Sequence, residues 1–587
     1  MENILKKEID AQFCVVGGGM AGVCAAIAAA RHGVKTVLMQ DRPVLGGNAS
    51  SEIRMWICGA HGENNRETGI IEEIELENFY RNTGLKYTVW DSVVYEKVMA
   101  EPNITLLLNC SCLDADTQDN AIKSITGWQT TTQTYFTIKA DYYADCSGDS
   151  ILAPLSNAEF TFGREAKAKY NEPDAPEKAD RKTMGMSCLF EIRETDSEKK
   201  YIKPEWAYTF KTDDELPMFS HNMSSNFWYI ELGGEQDGIA DTEQLRHELL
   251  KIAFGVWDHF KNQGDHGMAN WELDWIGFLP GKRESRRYVG DYILKQQDVR
   301  SGGHFDDLVA YGGWTMDDHN PDGFATRERP NIFHPAPSPF GIPYRCLYSV
   351  NIPNLMFSGR NISCTHTAMS SCRVMGTCST LGQAMGTAAA LAIHYGTTPR
   401  GIYESHIGEL RQTLMEDDCW LPFSDRALTP VMEGAKAEVS GRDASIVFDG
   451  LDRTVDGVDH KLTMNFGETL EITLPETRKV SELRIIFDSD LNRDSFESGI
   501  TGCAKDYPMR CNRSLDEKFV HLPSTLMKSF EVFLDDGDGE WKPLSKVDGN
   551  IKRLWRAAID RGVKRIRVIP TEAHGAEKAG IYSVIVK

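Results

Sequence analysis

The chain has no apolar run approaching the roughly 20 residues that a helical membrane span requires, no secretory h-region behind Met1-Glu-Asn-Ile-Leu-Lys-Lys-Glu8, no internal repeat and no low-complexity tract. These absences argue against a helical membrane span and predict a cytoplasmic address. Positive charge is also short: 64 Lys and Arg stand against 86 Asp and Glu, for a formal net charge of −22. That balance argues against a nucleic-acid partner, whose affinity rests on neutralising phosphates with Lys and Arg. Cysteine is plentiful at 14 residues, but it lacks metal-binding spacing. Cys364, Cys372 and Cys378 are eight and six residues apart, which matches no zinc pattern and predicts small-residue packing instead of a metal centre. Their scatter through predicted strands and helices suits reduced, buried thiols. Asp488-Ser-Asp490-Leu-Asn492 lacks the Gly and distal Glu of a calcium loop and reads as a polar turn.

What is present is an ordinary globular composition, 41% hydrophobic and 26% charged over 587 residues, enough for roughly two to four folding units. Phe13-Cys-Val-Val16, a Gly-rich turn, an Ala-rich helix from Gly22 to His32 and a second strand from Val34 to Gln40 make an opening βαβ unit. From about 160 to 340 the pattern turns irregular and aromatic, with Trp228, Trp271, Trp275 and Trp314, as expected of an insert that carries substrate contacts on loops. Leu355-Met-Phe357 and a Gly- and Ala-rich helix through Gly376, Gly382 and Gly386 return to the core pattern. After about 430, alternating segments such as Leu470–Leu474, Glu482–Phe487, Ser529–Leu534 and Arg565–Ile569 predict a β-sandwich. The expected class is α/β: a Rossmann-like nucleotide-binding domain with an inserted substrate domain, plus a C-terminal all-β sandwich. Its divisions fall at 1–160, 161–345, 346–425 and 426–587.

Gly17-Gly-Gly19-Met20-Ala21-Gly22 fits G-x-G-x-x-G, after a strand and opening a helix. Glycines there allow a tight turn and close approach of a pyrophosphate, whose charge meets unpaired amides at the helix N-terminus. The acidic residue usual at the end of the second strand is replaced by Gln40, with Asp41 next, and either can hydrogen-bond a ribose hydroxyl.

Three further segments carry a resemblance: Arg42-Pro-Val-Leu-Gly46-Gly47-Asn48 directly after the second strand, Asp145-Cys-Ser147-Gly148-Asp149 after Ala140–Ala144, and Gly359-Arg360-Asn361 before the helix holding Gly382 and Gln383. With these motifs and Gly281-Lys-Arg-Glu-Ser-Arg-Arg287, residues 10–400 resemble the FAD-dependent oxidoreductases of glutathione-reductase-like fold, in particular a bacterial group reading Q-D-R-P-x-L-G-G-N. The resemblance implies FAD as cofactor, with these motif residues, Ser51 and Cys112 as its contacts. The usual Gly-Asp pair for the ribityl chain appears here as Gly359-Arg360, which hands that contact to Arg360, Asn361 or the backbone. The C-terminal region is similar to a discoidin or galactose-binding-like sandwich, through Val480–Asp488.

Flavin oxidation of a C–H bond needs a base for the accompanying proton and cations to orient a polar substrate. His366, His61 and His319 are the candidate bases, with His366 first because it lies between the Gly359 turn and the following helix. Arg54, Arg283 and Arg286 are the candidate clamps, although Gly281–Arg287 also reads as a solvated charged turn. The expected activity is hydride removal from a polar small molecule, such as a sugar or glycoside, with an unspecified electron acceptor. The alternatives are flavin-dependent reduction of an activated C=C or C=O group, and a glycan-binding protein without turnover.

Overall fold

The computed structural model describes residues 4–218, 226–493, 509, 512–517 and 519–587. Its centre is a five-stranded parallel sheet of β1 (Phe13–Val16), β2 (Thr36–Met39), β3 (Ile104–Leu107), β4 (Tyr142–Asp145) and β5 (Leu355–Phe357), in spatial order β5-β4-β1-β2-β3. The strands are short and mostly apolar because both faces are covered, as a parallel sheet requires. Val16 pairs in register with Met39 on one side and Asp145 on the other, and Phe357 pairs with Asp145. The loops leaving these carboxyl ends therefore emerge side by side, where open α/β sheets bind ligands.

Helix α1 (Met20–Arg31) follows β1, and α2 (Ile70–Arg81) packs close by. The predicted return to the core is present: α4 (His366–Cys372) and α5 (Met375–Tyr395) follow β5, and α5 lies along α1. A Cβ on Gly382 would sit 2.1 Å from Ala21 O, and one on Gly386 2.1 Å from Ala25 O. The glycines of α5 thus let two helix backbones touch. The N-terminal segment Leu5–Asp10, not anticipated as a strand, runs parallel to Thr134–Lys139 in a separate four-stranded sheet.

Between β4 and β5 the insert folds into short strand pairs around helix α3 (Thr242–Asp258), whose buried face meets Phe190, Phe227 and Tyr229. The C-terminal region is sheet-rich, with eight strands joined by hydrogen bonds around one apolar core. Leu470–Leu474 and Glu482–Phe487, read from sequence as separate, belong to one strand, β6 (Leu470–Phe487), interrupted by register shifts at Thr473/Arg478 and Val480/Glu482. It pairs with β7 (Leu554–Ala573). Polar residues at the irregularities broke the alternation that sequence reading follows. Among the described residues no helix is long and apolar enough to cross a membrane.

Candidate active site

The Gly-rich turn after β1 is built around its own backbone. Gly17 has φ of +105°, and a Cβ on it would lie 2.4 Å from the carbonyl carbon of Cys146; a Cβ on Gly22 would lie 1.9 Å from Gly17 O. Gly19 differs, for its Cβ would meet only Gly47 Cα, at 3.9 Å. Gly46 N–H donates to Gly18 O at 2.8 Å, which holds the Gly46-Gly47 loop against the Gly-rich turn. Arg42 reaches the same place: its Nη2 is 3.9 Å from where a Gly47 Cβ would be, while its Nη1 pairs with Glu52 at 3.5 Å.

Gln40 does not face this gap with a spare amide. Its Oε1 accepts from Gly18 N–H at 2.7 Å and its Nε2 donates to Val44 O at 3.4 Å, so it fastens the turn. Gln40 thus has a structural part in the turn, and the neighbouring, largely exposed Asp41 is the acidic group at this strand end.

Asp145 closes the end of β4. Its Oδ1 accepts from Ser147 N–H and Oγ, and its Oδ2 from Leu152 N–H and the Tyr288 hydroxyl at 2.7 Å. Asp149 is the carboxylate of the following turn: it receives Lys282 Nζ at 2.7 Å, Ser285 Oγ at 2.8 Å and Arg360 Nη2 at 3.0 Å. Burial alone would raise its pKa, but Arg360 and Lys282 hold it below the usual carboxylate value. The Arg360 guanidinium lies against Gly148, where an added Cβ would come within 2.7 Å. Asn361 donates to Asp145 O at 3.4 Å, while its Oδ1, Ser358 Oγ and Arg360 Nε are buried without a hydrogen-bond partner among the described residues. A glycine gap beside an arginine and a set of orphaned polar atoms on the β5 turn fit the diphosphate and polyol parts of a flavin dinucleotide. Gly17, Gly19, Arg42, Gly46, Gly47, Ser147, Gly148, Asp149, Gly359, Arg360 and Asn361 lie on the turns, and Met20, Ala21 and Gly22 in the first turn of α1, that would hold it.

The other expected contacts have partners within the protein. Asn48 Nδ2 donates to Lys282 O at 3.1 Å and ties the Gly46-Gly47 loop to the Gly281–Arg287 segment. Ser51 N–H is held by Asp91 at 3.0 Å. Cys112 is on a strand of the four-stranded sheet, its thiol pushed up to about 12 by burial. Gly382 and Gln383 are seven residues or more into α5, about 10 Å from its first residue along the axis. Gly382 packs on Ala21, and Gln383 Oε1 accepts from Ile70 N–H at 2.9 Å, so both join helices.

The Gly281–Arg287 segment is not a solvated turn: Glu284, Ser285 and Arg287 are buried. Lys282 and Ser285 reach Asp149, whereas Glu284 reaches His366, so this loop links the cofactor motifs to a second polar cluster. In it, His366 Nδ1 is 2.9 Å from Glu284 Oε2 and Nε2 is 3.1 Å from Asp318 Oδ1. Glu284 also pairs with Arg287, which contacts Glu165 at 2.8 Å. Burial favours a neutral ring, but the two carboxylates outweigh it and raise the His366 pKa to about 10. The two carboxylates therefore favour the imidazolium form of His366, which weighs against its expected role as a proton acceptor. His319 repeats the pattern with Glu231 at 2.6 Å and Asp317 at 3.5 Å: burial would lower its pKa, but Glu231 and Asp317 raise it. His61 stacks on Trp314, ring centroids 4.4 Å apart.

The clamps are engaged inside the protein. Arg54 donates to Glu191 at 2.6 Å and lies 4.3 Å from the centroid of the Trp275 ring. Arg283 contacts Ser187 Oγ, Trp228 O and, at 3.4 Å, Glu231, and Arg286 donates to Asp149 O at 3.3 Å. Glu284 and Asp318, the two carboxylates that define the His366 site, were not singled out from the sequence. The acidic residues of Asp317-Asp318-His319 and Lys282-Arg283-Glu284 were the available signal, and nothing local shows that these stretches are buried together.

Comparison with known proteins agrees with the nucleotide architecture. No curated protein matches the chain significantly. Among solved structures, the chain is similar to the family 32 carbohydrate-binding module of Streptococcus pneumoniae EndoD, with 16% identity, TM-score 0.19, and coverage of 27% of this chain and 97% of the module. It is also similar to the family 32 module of C. perfringens NanJ in complex with galactose, with 14% identity, TM-score 0.18, and coverage of 27% and 95%. The family model described as FAD dependent oxidoreductase matches residues 12–414, the stretch that carries β1 to β5, the Gly-rich turn and the return motifs. The chain therefore belongs to the FAD dependent oxidoreductase family, is an enzyme of that type and uses FAD.

Proposed function

We propose that this oxidoreductase reduces a polarised C=C or C=O group of a polar small molecule. The observation that carries this reading is the placement of His366 between Glu284 and Asp318, two carboxylates that favour its protonated form, on the segment joining the Gly359 turn to α5. Bound FAD supplies two-electron hydride chemistry, and the protein supplies the proton and the orientation. A relay that already holds a proton suits addition of hydride to a substrate, where a carbon or oxygen gains negative charge and takes up H⁺. Hydride removal from an alcohol needs a vacant acceptor, and the one at this opening, Asp318, is a weakened base: burial would raise its pKa, but His366 holds it below the usual carboxylate value. The relay opens at Asp318, whose side chain is 25% exposed, while Glu284 is closed off. His366 Nε2–H donates toward Asp318 Oδ1, the atom from which a proton would pass outward. Carboxylates around this opening accept hydrogen bonds from hydroxyls, so a hydroxyl-bearing substrate such as a keto sugar fits.

The test starts from photoreduced, FAD-loaded protein mixed anaerobically with a panel of enones, quinones and keto sugars, with flavin absorbance followed in time. Reoxidation by one class identifies the substrate, and His366→Gln should then slow it by about 10²–10⁴-fold with flavin content unchanged. Bleaching of the oxidised protein by sugars or other alcohols, with no reoxidation by the unsaturated panel, would reverse the assigned direction. An unaltered rate in His366→Gln would remove the relay from the reaction.

A further inference from the structure

Outside the nucleotide motifs, three ligand-type side chains of the insert converge: Asp213, His259 and His266 place one carboxylate oxygen and two imidazole nitrogens all within 4.8 Å of one another. Asp213 opens a short 3-10 turn, Asp213–Glu215, and His259 begins a π-helical turn, His259–Gln263, directly after α3. π-Turns of this kind re-aim side chains and recur at functional sites.

His259 Nδ1 lies 2.9 Å from Phe210 O, a carbonyl that can only accept, so Nδ1 carries the N–H. In the neutral ring this leaves the Nε2 lone pair facing Asp213 Oδ1 at 3.1 Å. His266 Nε2 approaches the same oxygen, at 3.9 Å, and the two rings have centroids 4.8 Å apart. A shared proton would serve one nitrogen–oxygen pair, whereas a cation serves all three atoms. Ligand bonds of roughly 2.0–2.2 Å in a tetrahedral site place neighbouring ligand atoms about 3.4 Å apart, between the two separations of 3.1 and 3.9 Å. A backbone carbonyl on the far nitrogen is also the usual outer partner of a metal-bound histidine, fixing tautomer and ring orientation.

We propose that Asp213, His259 and His266 bind one divalent ion of the zinc class. Two imidazoles and one carboxylate suit Zn²⁺ better than the oxygen-seeking Mg²⁺ or Ca²⁺. His259 is 1% exposed, His266 16% and Asp213 69%, so the ion would enter from the Asp213 side. Bound there, it clamps the 3-10 turn onto the end of α3 and stiffens the insert. The spacing of 46 and seven residues explains why no zinc pattern shows in the sequence.

The test uses the full-length, tag-free, FAD-loaded protein. Zinc content after dialysis and titration with Co²⁺ should give one equivalent, with d–d absorption of a nitrogen- and oxygen-ligated tetrahedral ion, and Zn²⁺ but not Mg²⁺ should raise the unfolding temperature. Asp213→Asn, at a largely exposed position, and His266→Gln should each weaken binding by at least about tenfold. Absence of binding at micromolar free Zn²⁺, or equal affinity in both variants, would overturn the site. A thiolate-to-cobalt charge-transfer band would place the ion on cysteines and would also overturn it.

Discussion

An imidazole with one carboxylate at Nδ1 and another at Nε2 cannot lose its proton without bringing two anions face to face across a neutral ring. That is the position of His366, and it is why the same residue type can be a base in one protein and a fixed cation in another. The folded pKa of about 10 lies above the ordinary 6.5. The stabilisation it provides is therefore complete below about pH 6.5 and is lost as pH rises through about 10. We expect the stability gap between the parent and His366→Gln, from urea unfolding, to be largest near pH 6 and to shrink toward pH 10. A gap that stays constant over that range would mean that His366 is not held as a cation.

The β1–turn–α1 element separates two kinds of glycine. Gly17 and Gly22 meet backbone atoms of the fold itself, whereas Gly19, at φ −67°, faces open space toward Gly47. Gly22→Ala should therefore destabilise the protein, by about 1–3 kcal/mol or more, because its methyl group has no room. Gly19→Val should leave the fold intact, with an unfolding midpoint near that of FAD-stripped parent, and lose the flavin because the side chain fills the diphosphate gap. Flavin absorbance per chain and thermal unfolding measure both outcomes. Full flavin in folded Gly19→Val would show that the gap does not receive the diphosphate.

Across the whole molecule, the C-terminal domain is joined to the nucleotide domain by buried ion pairs. Arg493 meets Glu72 at 2.7 Å, Arg484 meets Asp417 at 2.7 Å and Arg553 meets Asp418 at 3.1 Å. Arg453 donates to the carbonyls of Asn64 and Arg66. Glu72 is fully buried; burial would raise its pKa, but Arg493 lowers it to about 2 from 4.5. This carboxylate contributes stability above about pH 4.5 that is lost as pH falls through about 2. Arg493→Met strands a buried charge and should cost about 3–5 kcal/mol, while Glu72→Gln combined with Arg493→Met should recover part of that loss. Chemical denaturation of these variants and of Glu72→Gln alone decides the matter, and a double-variant loss equal to the sum of the two single losses would mean that the pair carries no coupling.

The sequence by itself determined the βαβ opening, the Gly-rich turn, the Asp145–Asp149 and Gly359–Asn361 returns and the sheet-rich C-terminal region. Each is local: a backbone that must turn tightly needs glycine at that position, and a strand or helix writes its period into a few consecutive residues. Tertiary structure alone decided that Gln40 fastens a turn, that Gly382 separates no more than two helix backbones, and that Glu284 and Asp318 enclose His366. It also decided the arginine pairs between domains and the meeting of Asp213, His259 and His266. Those facts depend on burial and on partners dozens to hundreds of residues away, and burial and neighbouring charge set whether an imidazole is a base, a cation or a ligand.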